Sequence, residues 1–186
     1  MEVLDKGTSN GNVIESEVNL NIAKKLKNYL DQKGYNIVLT RNKDIALDSL
    51  SSISGTRQQR DLNARTNIIN KSNAKMFISV HVNSCPESPS TSGSIVFYNE
   101  KLPESKIIAQ NIQKALNGIT IPNFKRETTG CAEENFYLLR NSNIPGVLVE
   151  TAFVTNTKEL SLLSNEAFKD KIAQAIASGI ENSDLN

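Results

Sequence analysis

The chain has 186 residues, 38% of them hydrophobic, and a formal net charge of +1, which suits one packed domain over residues 1–186 and is short for two. Both signs of charge are interspersed with no long basic run, which excludes nucleic acid and anionic membrane surfaces as partners implied by electrostatics. No stretch reaches the apolar length of a bilayer span and residues 1–14 lack the order of a signal peptide, so the chain itself is expected to make no membrane contact.

Val18, Ile22, Leu26 and Tyr29 or Leu30 recur at helical spacing and predict a helix from about Glu15 to Lys33, stopped by Gly34. Tyr35 to Thr40 reads as a strand, serine-rich Ser49 to Gly55 leads into a second helix around Arg57 to Asn70, and Met76 to Val82 is the next strand. Ser84 to Ser92, rich in serine and containing Pro86 and Pro89, is expected to be an exposed loop. A strand over Gly93 to Tyr98 and a helix from Glu104 to Leu116 follow. Asn117 to Glu134 shows little periodicity and reads as a long loop of the kind that lines functional sites. Phe136 to Arg140 and Gly146 to Val154 are the last predicted strands. Helical residues from about Lys158 to Ile180 close the domain, ahead of a polar tail. Helices alternating with β-branched runs predict an α/β fold, a three-layer, mostly parallel twisted sheet flanked by helices.

Three polar residues stand out against this frame. His81, the only histidine, ends an apolar strand, where an imidazole either bonds into the core or faces a cleft to bind metal or move protons. Glu15 lies three residues before Val18 and so shares the buried face of its helix; it reads either as a first-turn acid that complements the helix dipole or as a site group. Glu150 interrupts the apolar run Gly146 to Val154, where a carboxylate needs either an arginine partner or a function. In such sheets ligands bind outside the carboxyl ends of the strands, the rim on which all three converge. A histidine and a carboxylate as ligands, with a second carboxylate as base, suit a zinc hydrolase better than a triad, because no nucleophile with its own histidine partner is evident. Cys85 and Cys131 are too few for a disulfide scaffold and show no paired metal-binding spacing; whether they pair is left open.

Four segments, in order over nearly the whole chain, resemble the zinc-dependent N-acetylmuramoyl-L-alanine amidases of bacteria (amidase type 3). They are Glu15-Ser16-Glu17-Val18-Asn19-Leu20-Asn21-Ile22-Ala23, Val38-Leu39-Thr40-Arg41, Phe77-Ile78-Ser79-Val80-His81-Val82-Asn83-Ser84 and Val147-Leu148-Val149-Glu150-Thr151-Ala152-Phe153-Val154-Thr155-Asn156. Ser92-Gly93-Ser94-Ile95-Val96-Phe97-Tyr98 and Pro103-Glu104-Ser105-Lys106 look most like the branch that acts on spore cortex in sporulation and germination. The resemblance implies that Glu15 and His81 ligate zinc while Glu150 is general base and acid, and that the bond cut joins N-acetylmuramic acid to the L-alanine of the peptidoglycan stem. It also implies an extracytoplasmic place of action, in the cell envelope or spore cortex. Asn83 is expected either to orient His81 or contact substrate, or simply to form a turn.

One departure from the family pattern matters. The family takes its first zinc ligand from a histidine in a glycine-rich loop after a first strand, and this chain has neither, although residues 1–14 resemble the continuation of such a loop. The expectation is that the native protein starts upstream and that this chain alone holds zinc poorly, since catalytic zinc usually has three protein ligands. Two alternatives stay open: a non-catalytic amidase-like domain that binds peptidoglycan or a partner, and a metal site completed or stabilised by an accessory protein.

Overall fold

A computed structural model of the chain describes residues 7–183. Residues 1–6 of the expected loop and the end of the polar tail lie outside the described residues. A short hairpin, β1 (Ser9–Asn10) and β2 (Val13–Ile14), turns at Gly11 with φ 57° and leads straight into α1 (Glu15–Gln32). The buried stripe of α1 is Val18, Ile22, Leu26 and Leu30. At its end, Gly34 takes φ 86°, with Tyr35 N–H donating to Leu30 O and Gly34 N–H to Asp31 O. This left-handed cap stops the helix where the glycine predicts.

Elements β3 (Phe77–Asn83), β4 (Ile95–Tyr98), β5 (Ala132–Glu133) and β6 (Gly146–Phe153) form one sheet in the order β3-β6-β4-β5. β6 runs parallel to β3, β4 parallel to β5, and β4 antiparallel to β6, so the sheet is mixed. Val82, Val96, Val147 and Val149 face a core shared with α1, α3 (Glu104–Asn117) and α6 (Glu166–Glu181), whose Ile22, Ile108, Ile112, Ile172 and Ile176 are wholly buried. The alternate residues of β6 point the other way, toward the side of α2 (Arg57–Lys71) and α4 (Tyr137–Asn141), which pack on each other. No helix among the described residues is long and apolar enough to cross a membrane.

Two expectations are corrected. Tyr35 to Thr40 is not a strand: among the described residues β3 pairs only with β6 and 35–40 joins no ladder, and Val38 is 56% exposed. Phe136 to Arg140 is not a strand either. Tyr137–Asn141 coils into α4, held by Ser142 Oγ–H donating to Leu138 O and Asn141 Nδ2 donating to Tyr137 O, because a short apolar run carries no period that separates helix from strand. The closing helical residues form two helices, α5 (Thr157–Leu163) and α6, because Asn165 breaks the run and caps α6 by accepting from Ala167 N–H.

Candidate active site

Parallel pairing of β3 with β6 sets His81 opposite Glu150 at the carboxyl ends of both strands. Glu15 joins them from the first residue of α1. Its Oε1 lies 3.0 Å from His81 Nδ1, and its Oε2 accepts Thr8 N–H at 2.8 Å, while Glu15 N–H donates to Thr8 O. The hairpin is tied to the end of β6 by Asn10 Nδ2 donating to Val154 O. Gly7, at φ 65°, lies so close to the Glu15 carboxylate that a Cβ there would collide with it. Glu15 is therefore a held carboxylate rather than a free first-turn acid.

A carboxylate only accepts, so His81 Nδ1 is the N–H donor to Glu15, while His81 Nε2 lies 3.0 Å from Ser79 Oγ, within hydrogen-bond reach. This corrects one sequence expectation: a serine does have the histidine as its partner, since residues two apart on a strand share a face. Burial alone would raise the Glu15 pKa, but hydrogen bonds from His81, Thr8 and Asn19, with the nearby imidazole, outweigh it and bring it below the ordinary value.

Glu150 behaves oppositely. Its Oε2 is buried without a hydrogen-bond partner, and it forms no salt bridge among the described residues. Burial pushes its pKa up to about 7, with the Glu15 charge adding to the rise and His81 opposing it. The arginine bridge that could have explained Glu150 is made by Glu159 instead, 2.6 Å from Arg126 Nε. Two carboxylates beside one imidazole thus have environments that drive their pKa values apart.

Asn83 turns its Oδ1 onto Ser84 N–H at 2.7 Å, and its carbonyl accepts Val154 N–H. Cys85 and Cys131 are free, and Cys85 N–H donates to Thr155 Oγ1. The long loop supplies a residue the sequence did not mark, Arg126, buried at 7% exposure. Glu159 also escaped notice, because an acid in the first turn of a helix reads as ordinary. As to metal, an imidazole and a carboxylate side by side fit zinc in kind, but no three of His, Cys, Asp and Glu gather into a site among the described residues.

The mixed α/β sheet thus brings an imidazole and two carboxylates with opposite pKa shifts to its rim. Residues 3–182 match the N-acetylmuramoyl-L-alanine amidase family (Amidase_3), and the chain belongs to that family. The germination-specific N-acetylmuramoyl-L-alanine amidase of Bacillus subtilis (strain 168) is 33% identical over 177 residues, covering 95% of this chain and 73% of that one. The N-acetylmuramoyl-L-alanine amidase LytC of the same organism is 34% identical over 94% of this chain, which spans only 32% of LytC. Among solved structures, the CwlD amidase from Clostridioides difficile, in complex with the GerS lipoprotein, superposes with a TM-score of 0.84 at 34% identity, covering 98% of this chain and 93% of that one.

Proposed function

We propose that this domain is a peptidoglycan amidase that hydrolyses the bond between N-acetylmuramic acid and the L-alanine of the stem peptide. The observation that carries the reading is Glu150 Oε2, a buried carboxylate oxygen with no partner, opposite His81 and with its pKa raised to about 7. A base of that strength takes a proton from water near neutral pH and returns it to the departing amine. Glu15 and His81 would hold zinc, with a third ligand from outside the described residues. Bound there, the metal would polarise the amide carbonyl and acidify water. Glu15 also keeps the imidazole oriented, through the bond to Nδ1. Likeness to a germination-specific amidase and to a sporulation-specific one of Bacillus subtilis supports spore cortex as the substrate and an extracytoplasmic place of action.

The test is release of L-alanine amino groups from purified peptidoglycan, with zinc per chain measured by elemental analysis. Glu150→Gln should abolish release and keep the zinc, whereas His81→Ala should lose both; an active Glu150→Gln protein would remove Glu150 as the base. A second reading, in which an accessory protein completes or stabilises the metal site, is favoured by the lack of a three-donor cluster among the described residues and by the relative solved with a lipoprotein. Zinc binding and activity that arise only when a partner is added would decide for it.

A further inference from the structure

Next to Glu150 the ladder slips. His81 pairs with Glu150 but Asn83 pairs with Phe153, so β6 takes three steps where β3 takes two. Burial shows the same slip: Val147 and Val149 face the core, then Ala152 and Val154, a change of phase that a regular strand does not make. A bulge of this kind takes buried backbone groups out of the ladder, and they need other partners.

Two buried side chains supply them. Arg126 Nη2 donates to Thr151 O at 2.7 Å, beside Ser94 Oγ–H donating to the same oxygen at 2.7 Å. Glu159 Oε2 accepts Phe153 N–H at 2.6 Å and its Oε1 accepts Gly93 N–H at 2.9 Å. Arg126 and Glu159 bond to each other at 2.6 Å, with exposures of 7% and 0%. Thr151 closes the circuit from the other side, its hydroxyl donating to His81 O at 2.9 Å. The bonds of the pair thus end on Thr151, within the slip, on Phe153, at its far end, and on Gly93 and Ser94 just ahead of β4, and through Thr151 they reach the residue that carries the imidazole.

We infer that Arg126, Glu159 and Thr151 are positioning residues: the buried ion pair templates the bulge that aims Glu150, and the Thr151 hydroxyl fixes His81 against it. A buried ion pair gains little over apolar packing of the same volume, so stability alone does not account for this one. The inference rests on Glu150 and His81 being the working groups.

The experiment compares Thr151→Val, which keeps the volume and loses the hydroxyl, with Thr151→Ser, which restores it. Because His81 is the only histidine, its imidazole signals in NMR are unambiguous. The expected result for Thr151→Val is a folded protein melting within a few degrees of the wild type, with His81 signals split or broadened. Its kcat should fall about 10–100-fold with KM unchanged, the size typical of losing a partner that orients a working group. Thr151→Ser should recover both. A Thr151→Val protein with wild-type kcat and one sharp wild-type His81 signal overturns the inference, as does failure of Thr151→Ser to recover. Should Thr151→Val not fold, Glu159→Gln, which keeps the shape and an acceptor, is read in the same way. A wild-type chain without amidase activity, both alone and with an added partner, would defeat the proposed function, while the His81 signals still decide this inference.

Discussion

Replacing Glu150 by glutamine leaves the side-chain shape and removes the charge, which makes stability a direct measure of how awkwardly that carboxylate is held. In the fold its pKa rises from 4.5 to about 7. The folded state therefore binds the proton more tightly than the unfolded chain. Its stability is fullest below pH 4.5, declines as pH rises to about 7, and is level beyond. The rise corresponds to about 3 kcal/mol at pH 8, on a scale of about 1.4 kcal/mol per tenfold change in proton affinity. Glu150→Gln lacks this decline, and burial of its amide offsets part of the gain. The net expectation is that it is more stable than the wild type by about 1.5–3 kcal/mol at pH 8, or about 3–12 °C in Tm for a chain of this size. At pH 5 the difference should shrink below about 1 kcal/mol. Thermal melts followed by circular dichroism, at both pH values with a chelator present, make the comparison. A Tm at pH 8 no higher than that of the wild type, or a difference that is the same at both pH values, would refute the argument that Glu150 is ionised at the expense of the fold. The variant should be more stable and inactive together, the usual trade where a site holds a charge the fold would not choose.

Glu15 should show the opposite sign. Its lowered pKa gives stability that is complete above pH 4.5 and lost as pH falls through the folded value, so Glu15→Gln should cost about 1–3 kcal/mol at pH 7 and progressively less below pH 4.5 in the same melts. Gly179→Ala would set a Cβ 2.5 Å from Ile112 Cα and 2.8 Å from Ile112 N, so α3 and α6 must part. Urea unfolding should show a lower midpoint with an unchanged slope, equivalent to a stability loss of about 1–3 kcal/mol. Ser79, although bonded to His81, should carry no adduct in intact-mass spectra after treatment with a fluorophosphonate; a labelled Ser79 would replace the metal-hydrolase reading with a serine nucleophile.

Much of this was legible in the chain because it is written locally. The stripe Val18, Ile22, Leu26 and Leu30 determined α1, Gly34 determined its end, and the oddity of a lone histidine and a lone carboxylate in apolar runs marked His81 and Glu150. What the chain does not write locally is pairing. Tyr35 to Thr40 has the composition of a strand, but a strand exists only beside another with free N–H and C=O groups, and that depends on the rest of the fold. The same holds for Phe136 to Arg140, where an ambiguous apolar run was decided by the neighbours it meets. The partner of Glu150 was likewise undecidable: residue type demands that a buried carboxylate be compensated or functional, and only the tertiary structure gave the arginine to Glu159 and left Glu150 Oε2 bare. Arg126, Glu159 and Thr151 left no periodic trace, because their importance lies in bonds spanning 25 to 70 residues around a slip in the ladder. Composition and spacing determine which residues are uncomfortable in an apolar setting; the packing of distant segments determines which of them find relief.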